Sequence, residues 1–213
     1  MEKAGGLRAR RGSAGDWHFA APPALVTTMS GLGTDRQVQA DRGRMAHPLV
    51  HGIFGERFFD DLKTGAAQEV LVTEIRPNFE GARKTALRIC EMGIKATLIS
   101  DNMVAFCIWE GRVERLVLSY QGMSRDALEV VVGTDLYFLM ARYHGLPVSF
   151  YPSSVQFSGQ GDEEDLFHAC GIRIAPRGIK GWVPLISLIP LGEMGEGPAR
   201  ADQDGVFHLK PSV

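Results

Sequence analysis

Six polar side chains gather around two short apolar runs. Glu74, Arg76, Glu80 and Arg83 follow Val70-Leu71-Val72-Thr73, and Asp101 and Asn102 follow Ala96-Thr97-Leu98-Ile99. Arginine presents a planar fork of donors that matches a phosphate or a carboxylate, so Arg76 and Arg83 are candidate ligands of a small anion. Glu80 and Asp101 work against them, because a carboxylate beside a bound phosphate repels it unless an arginine neutralises it. Gly133-Thr134 opens a helical pattern and can present backbone N–H groups to an anion. Each residue also has a purely structural reading. Glu74 and Arg76 suit an internal ion pair that shapes the turn at Pro77. Asp101 suits a helix N-cap, and Gly133 suits a bend within a helix. His144, just before Gly145, suits the negative end of a helix dipole better than a catalytic base.

These residues need a frame that brings them together. The β-branched run before Glu74 reads as a strand. Ala82, Ala86, Ile89 and Cys90 fall at three- and four-residue spacing, which is one face of a helix, and Gly93 stops it. A second strand, Lys95 to Ser100, follows. The alternation continues with a short helix from Asn102 to Trp109, a strand from Val113 to Ser119, a helical stretch from Arg125 to His144 interrupted near Gly133, and a strand from Pro147 to Tyr151. An earlier short helix, Gly55 to Lys63, ends at Gly65. Continuous apolar strands separated by helices predict an α/β, Rossmann-like doubly wound parallel sheet with right-handed crossovers. In such a sheet ligands bind beyond the carboxyl ends of the strands, where the six polar residues would lie.

Four segments in order carry a family resemblance. Glu74-x-Arg76-Pro77-x-x-x-Gly81-Ala82-Arg83-x-Thr85-Ala86 followed by Thr97 to Met103, then Gly133-Thr134 with Ala141 to Val148, Phe150-Tyr151-Pro152-Ser153-Ser154, and Gly171 to Lys180 resemble the methylthioribose-1-phosphate isomerase family. Its relatives include ribose-1,5-bisphosphate isomerase and the alpha, beta and delta subunits of the translation initiation guanine-nucleotide exchange factor. The resemblance runs from about Val50 to Met194. It implies sugar-phosphate aldose–ketose isomerase ancestry, with a pocket lined by Arg76, Glu80, Arg83, Asp101, Gly133 and Thr134, and no cofactor. In that family a cysteine from an early loop and an aspartate at a strand end take part in catalysis. Here no cysteine precedes Cys90, and Gln121 stands at the aspartate position. Glutamine does not titrate and cannot serve as acid or base. The family's Asn-Lys pair falls on Val130-Val131, on the helical stretch, and its substrate-binding glutamine falls on Glu80. The expectation is therefore a diverged member without that family's catalysis. The alternative is a non-catalytic phosphate-ligand or protein-assembly module like the exchange-factor subunits.

Composition narrows the field further. A net charge of −2 and a pI near 6.3 give no electrostatic case for nucleic acid or an anionic membrane. No apolar run reaches the length of a membrane helix. Cys90, Cys107 and Cys170 lack metal-type spacing and read as reduced thiols in a cytoplasmic protein. The acidic run Asp162 to Asp165 is contiguous, unlike the spaced oxygens of a cation loop, so no metal is expected. The chain divides into a disordered extension over 1–45, shorter than the family's helical N-terminal domain, an isomerase-family domain over 46–194 and a flexible tail over 195–213. Trp182 to Met194 is apolar but cut by Pro184 and Pro190, which predicts a C-terminal extended arm on a sheet edge or a second subunit. Its apolar surface suggests a homodimer. Arg173 and Arg177 flank a loop that either closes over the pocket or meets that second subunit.

Overall fold

The computed structural model describes residues 46–65, 67–194 and 201–210; the extension over 1–45 lies outside them. The elements run β1 (His47–His51), α1 (Glu56–Thr64), β2 (Glu69–Thr73), a π-helical turn Gly81–Ala86 continuing into α2 (Leu87–Glu91), β3 (Lys95–Ile99), a 3-10 turn Asp101–Met103 leading into α3 (Val104–Trp109), and β4 (Val113–Tyr120). Then come β5 (Gly122–Met123), β6 (Ala127–Val131), α4 (Thr134–Tyr143), β7 (Val148–Pro152), α5 (Glu163–Phe167), β8 (His168–Ala169), β9 (Ile172–Arg173), β10 (Ile186–Pro190) and β11 (Phe207–Leu209).

Six strands form the main sheet in the order β11-β7-β4-β1-β2-β3. All neighbours are parallel except the edge pair β11–β7. The sheet is the doubly wound one expected, and the strand order reverses between β1 and β4. One apolar cluster lies under α3 and α4 and includes Leu49, Leu71, Leu116, Leu118, Phe138 and Phe150. The other lies under α1 and α2 and includes Val50, Phe58, Leu62, Val72 and Ile89. Neighbours along each strand thus alternate between the two clusters, Leu49 and Val50 being one example, as the pleat requires.

One strand is added to the sequence reading and two expectations are corrected. The central strand, β1, does not register as a strand in the sequence. It contains a proline, tolerated here because the pairing with β4 shifts register between His47 and Pro48. The stretch Arg125 to His144 is only half helical: Ala127–Val131 is a strand, paired antiparallel with β10. Leu128 and Val130 are buried on one side of it while Glu129 is less so, a period-two pattern concealed by a helix-like neighbourhood. Val130-Val131 therefore sits on β6 and not on a helix. The tail is not uniformly flexible either, since Phe207–Leu209 adds an edge strand to the main sheet and Val206 and Phe207 are buried. The arm is extended as expected, and its residues Ile186–Pro190 pair with β6 of the same chain.

Gly81 shows how tightly the π-helical turn seats on β2. A side-chain carbon there would collide with the Thr73 carbonyl and crowd Ile75, and the amides of Gly81 and Ala82 both reach the Glu74 carbonyl, at 3.1 and 3.4 Å. Only glycine permits that approach.

Candidate functional site at the strand ends

The reversal of strand order between β1 and β4 places a crevice at their carboxyl ends, the usual ligand position in open α/β sheets. At the end of β1, His51 is buried and its Nδ1 lies 2.6 Å from Thr73 Oγ1 of β2. Burial pushes its pKa down to about 3, so the imidazole is neutral in the folded protein. Its ring stands edge-on to Tyr137, with centroids 4.6 Å apart. Tyr137 on α4 donates to the Asp101 carbonyl at 2.9 Å. Burial raises its pKa, and the Asp101 and Glu74 carboxylates raise it further.

Asp101 is the centre of the arrangement. Its two carboxylate oxygens accept the N–H groups of Ile75 (2.9 Å) and Arg76 (2.7 Å). They hold Ile75 at φ 57°, a left-handed conformation that a β-branched residue adopts only under constraint. Neither structural alternative from the sequence holds. Asp101 is no N-cap, because its side chain reaches across to the turn after β2. No Glu74–Arg76 ion pair exists among the described residues. Arg76 instead donates to the carbonyls of Pro77 (3.2 Å), His168 (3.3 Å) and Leu166 (3.3 Å), and its guanidinium lies 4.7 Å over the Phe79 ring. It latches the loop around α5 and β8 to the strand ends.

The remaining candidates separate. Glu80 pairs with Lys84 at 2.7 Å, one turn along. Arg83 is exposed and makes no side-chain hydrogen bond or ion pair among the described residues. Gly133 starts α4 at φ 97°, so it is a helix start and not a bend. Its amide is turned to Asp135 Oδ1 at 3.2 Å. Thr134 is buried, and among the described residues its Oγ1 has no partner, nor does His51 Nε2. Gln121 is fully engaged: its Nε2 donates to the Phe157 carbonyl at 2.8 Å and its Oε1 accepts the Phe157 N–H at 2.9 Å. The acidic run is occupied too. Asp162 caps α5 through the Glu164 N–H, Glu163 accepts from the Gly181 N–H, and Glu164 pairs with Arg173 at 2.8 Å. Arg173 thus braces its own loop, also lying over Phe167.

The structure therefore brings Arg76, Asp101 and Tyr137 of α4 into one network and leaves Glu80, Arg83, Gly133 and Thr134 outside it. Sequence reasoning missed His51, Tyr137 and Ser119. The signal for His51 was a polar residue closing an apolar run just before glycine. Gly52, at φ 143°, abuts β4 so closely that a side-chain carbon there would collide with Ser119 Oγ. Ser119 Oγ in turn accepts the Ile53 N–H at 3.3 Å, and Thr85 donates to the Gly52 carbonyl at 2.6 Å. Ser119 thus packs directly against the end of β1 at Gly52. No cysteine stands there: Cys90 is on α2, Cys170 is in the β8–β9 turn, and Cys107 is buried under α3, its thiol pushed up by burial. A cleft of about 280 Å³ lies elsewhere, over the α1 side of β4, β7 and β11, where Arg115, Ser149, Tyr151 and His208 line it.

The Initiation factor 2 subunit family matches residues 58–169, just over half of the chain, and the chain belongs to that family. Methylthioribose-1-phosphate isomerase of Chloroflexus aurantiacus is 32% identical over 140 residues, covering 59% of this chain and 40% of that protein. The Thermus thermophilus isomerase is 31% identical over 160 residues, covering 67% and 48%. The chain thus spans less than half the length of these relatives. Among solved structures, the delta subunit of translation initiation factor eIF-2B from A. fulgidus superposes with a TM-score of 0.60 at 23% identity, covering 70% of this chain and 50% of that one. The 5-methylthioribose 1-phosphate isomerase of Pyrococcus horikoshii gives 0.60 at 21%, covering 72% and 49%. At that identity they speak for the fold.

Proposed function

We propose that this chain is a non-catalytic member of its family, keeping the strand-end frame as a binding or assembly module while isomerase chemistry has gone. The observation that carries this reading is Gln121. It occupies the position where the resemblance implies the catalytic aspartate, and both ends of its amide are spent on the Phe157 backbone. Aldose–ketose isomerisation needs a proton donor or acceptor beside the reacting carbons. The two buried titratable groups of the crevice, His51 and Tyr137, stay neutral through physiological pH. Arg76 and Asp101 are committed to backbone partners, which supports a structural task for both. A retained ligand would be a small phosphate ester drawn to Arg83 and the α4 start, held modestly because Glu74, Glu80 and Asp101 oppose it. The three free thiols fit a reducing, cytoplasmic setting in this reading.

A coupled ketose assay with methylthioribose 1-phosphate, run beside a thermal-shift series of pentose phosphates, tests it. The expected result is no turnover above background, with a small melting shift at most that Arg83→Ala removes and Arg115→Ala leaves. Turnover near the enzyme median of ~10 per second would overturn the proposal.

A further inference from the structure

One cross-strand row shows where the cover of α1 ends. Val50, Val117, Ser149 and His208 are neighbours across β1, β4, β7 and β11 and so share one face of the sheet. Val50 and Val117 are buried in one cluster with Phe58 and Leu62 of α1. Ser149 is half-buried and His208 is exposed. The adjoining row on the other face, Leu49, Leu116, Val148 and Leu209, stays apolar out to the edge strand. The α1 face thus turns polar where its helix stops, and the step from helix to bare sheet is the cleft of about 280 Å³.

Most polar groups of the cleft are fixed by the protein itself. Tyr151 donates through its hydroxyl to Asp61 Oδ2 at 3.1 Å, and Arg57 Nε donates to the same oxygen at 2.9 Å. Arg57 also pairs with Asp204 at 2.6 Å, which ties the turn before β11 to α1. Burial and the Asp61 carboxylate push the Tyr151 pKa up to about 12, so the hydroxyl stays protonated. Ser149 Oγ and His208 Nδ1 lie 2.9 Å apart. Arg115 is the exception. Its nearest carboxylate among the described residues is Glu114 at 3.7 Å, beyond hydrogen-bond range, so its guanidinium lines the cleft as a planar fork of donors without a close acceptor. Phe58, Leu62 and Val117 supply the apolar side.

We propose that this cleft binds a small monocarboxylate with an apolar body, its carboxylate on Arg115 and its body against Phe58, Leu62 and Val117. An arginine fork matches a carboxylate bidentately. The Nδ1–H tautomer of His208 donates to Ser149 and frees the serine hydroxyl to donate to the same carboxylate. One uncommitted cation balances one negative charge. A phosphate dianion would face Asp61 and Glu114 with a charge left over, and like charges repel it. The volume lies at the small end of the ~300–1,000 Å³ usual for small-molecule sites, which fits a branched or cyclic acid and excludes a nucleotide. Arg115 stands in the amino-terminal half of β4, away from the strand-end crevice, so this site exists whether or not that crevice holds a phosphate ester.

The test is calorimetric titration of the full chain with isovalerate and benzoate, beside isoamyl alcohol, benzyl alcohol and inorganic phosphate. At least one of the two acids should bind more tightly than ~10 mM, while the alcohols and phosphate bind at least ~10-fold more weakly. Arg115→Ala should weaken the acid at least ~10-fold, as loss of a charged hydrogen bond does. Arg115→Lys should restore only part of that, because an ammonium lacks the planar fork. Ser149→Ala should cost about 3- to 10-fold, and Arg83→Ala should cost nothing. Far-UV circular dichroism checks the fold, and if Arg115→Ala fails to fold, Arg115→Lys and Ser149→Ala carry the test. Absence of binding by both acids, equal binding of acids and alcohols, phosphate binding as tight as the acids, or indifference to Arg115 would each overturn the proposal. Loss through Arg83→Ala instead would place the anion at the strand ends and overturn it too. A pentose phosphate that fails to bind bears on the strand-end crevice alone.

Discussion

The helices on one side of the sheet end in charge, and those on the other end in aliphatic and aromatic side chains. Outside α1 and α2 stand Glu56, Arg57, Asp60, Lys63, Arg83, Lys84 and Arg88, with Leu87 as an apolar exception. They are tied into pairs such as Arg57–Asp61 (2.9 Å), Arg57–Asp204 (2.6 Å) and Arg88–Glu56 (3.1 Å). Outside α3 and α4 stand Phe106, Trp109, Leu136, Leu139 and Tyr143. The inner sides of both layers follow one rule, burial of apolar area on the sheet. The outer sides differ in composition. Exposed ion pairs add little stability, about 0–1 kcal/mol each, and mainly keep a surface wet.

The sharpest way to break this comparison is to truncate one side chain on the inner side of one layer and one on the outer side of the other. Phe58 is 3% exposed, stacks on Phe54 at 4.1 Å and meets Tyr151 edge-on at 5.6 Å. Phe58→Ala should cost about 3–5 kcal/mol of unfolding free energy. Leu139→Ser, measured by urea titration on dilute protein, should cost less than about 0.5 kcal/mol, because at 55% exposure it leaves no core cavity. A large loss at Leu139 in dilute protein would mean that the outer stripe is needed to fold the single chain.

Asp101 ties the two layers together, since it lies at the entry to α3 and holds the turn that leads to α2. Asp101→Ala should cost about 2–3 kcal/mol, because two N–H groups lose a charged acceptor and the left-handed Ile75 loses its restraint. Denaturant melts would read the loss. A change below 1 kcal/mol would mean that the turn is held by the seating of Gly81 alone.

A smaller effect should distinguish the α4 side by pH. His51 falls from 6.5 in the unfolded chain to about 3 when folded. Between those values the unfolded chain binds the extra proton, so stability is lost as pH falls below about 6.5, by about 2 kcal/mol at pH 5 from this one residue. In His51→Gln the difference in stability between pH 7 and pH 5 should shrink by that amount. An unchanged difference would place the acid sensitivity elsewhere.

Much of the fold was legible because its signals are local. Phe58, Phe59 and Leu62 share one helix face before Gly65, and the runs at Val70, Lys95 and Val113 are apolar and β-branched enough to read as strands, although the one at Lys95 is an edge strand with Thr97 and Leu98 exposed. Two central pieces were not legible. β1 carries a proline and two histidines, and becomes a strand only because β2 and β4 pair with it on both sides. β6 looks like the beginning of the helix that α4 completes, and pairing with β10, more than fifty residues later, decides otherwise. Of the candidate site, the residue types were readable but their partners were not. Arg76 and Asp101 were visible as charges, yet their hydrogen bonds run to backbone groups, which no side-chain pattern records.

The order of apolar runs, helix faces and stops determined a doubly wound α/β domain, and the motif residues from Glu74 to Lys180 determined the family. Local periodicity and residue chemistry suffice for both. Tertiary structure decided what the strand ends can do. It buried His51 and so kept it neutral, filled the space beside Gly52 with Ser119, and spent Arg76, Asp101 and Gln121 on carbonyls and amides brought from distant loops. It also decided which apolar residues are core and which remain outside, because helical spacing shows that α4 has two apolar sides but only packing shows which of them the sheet covers.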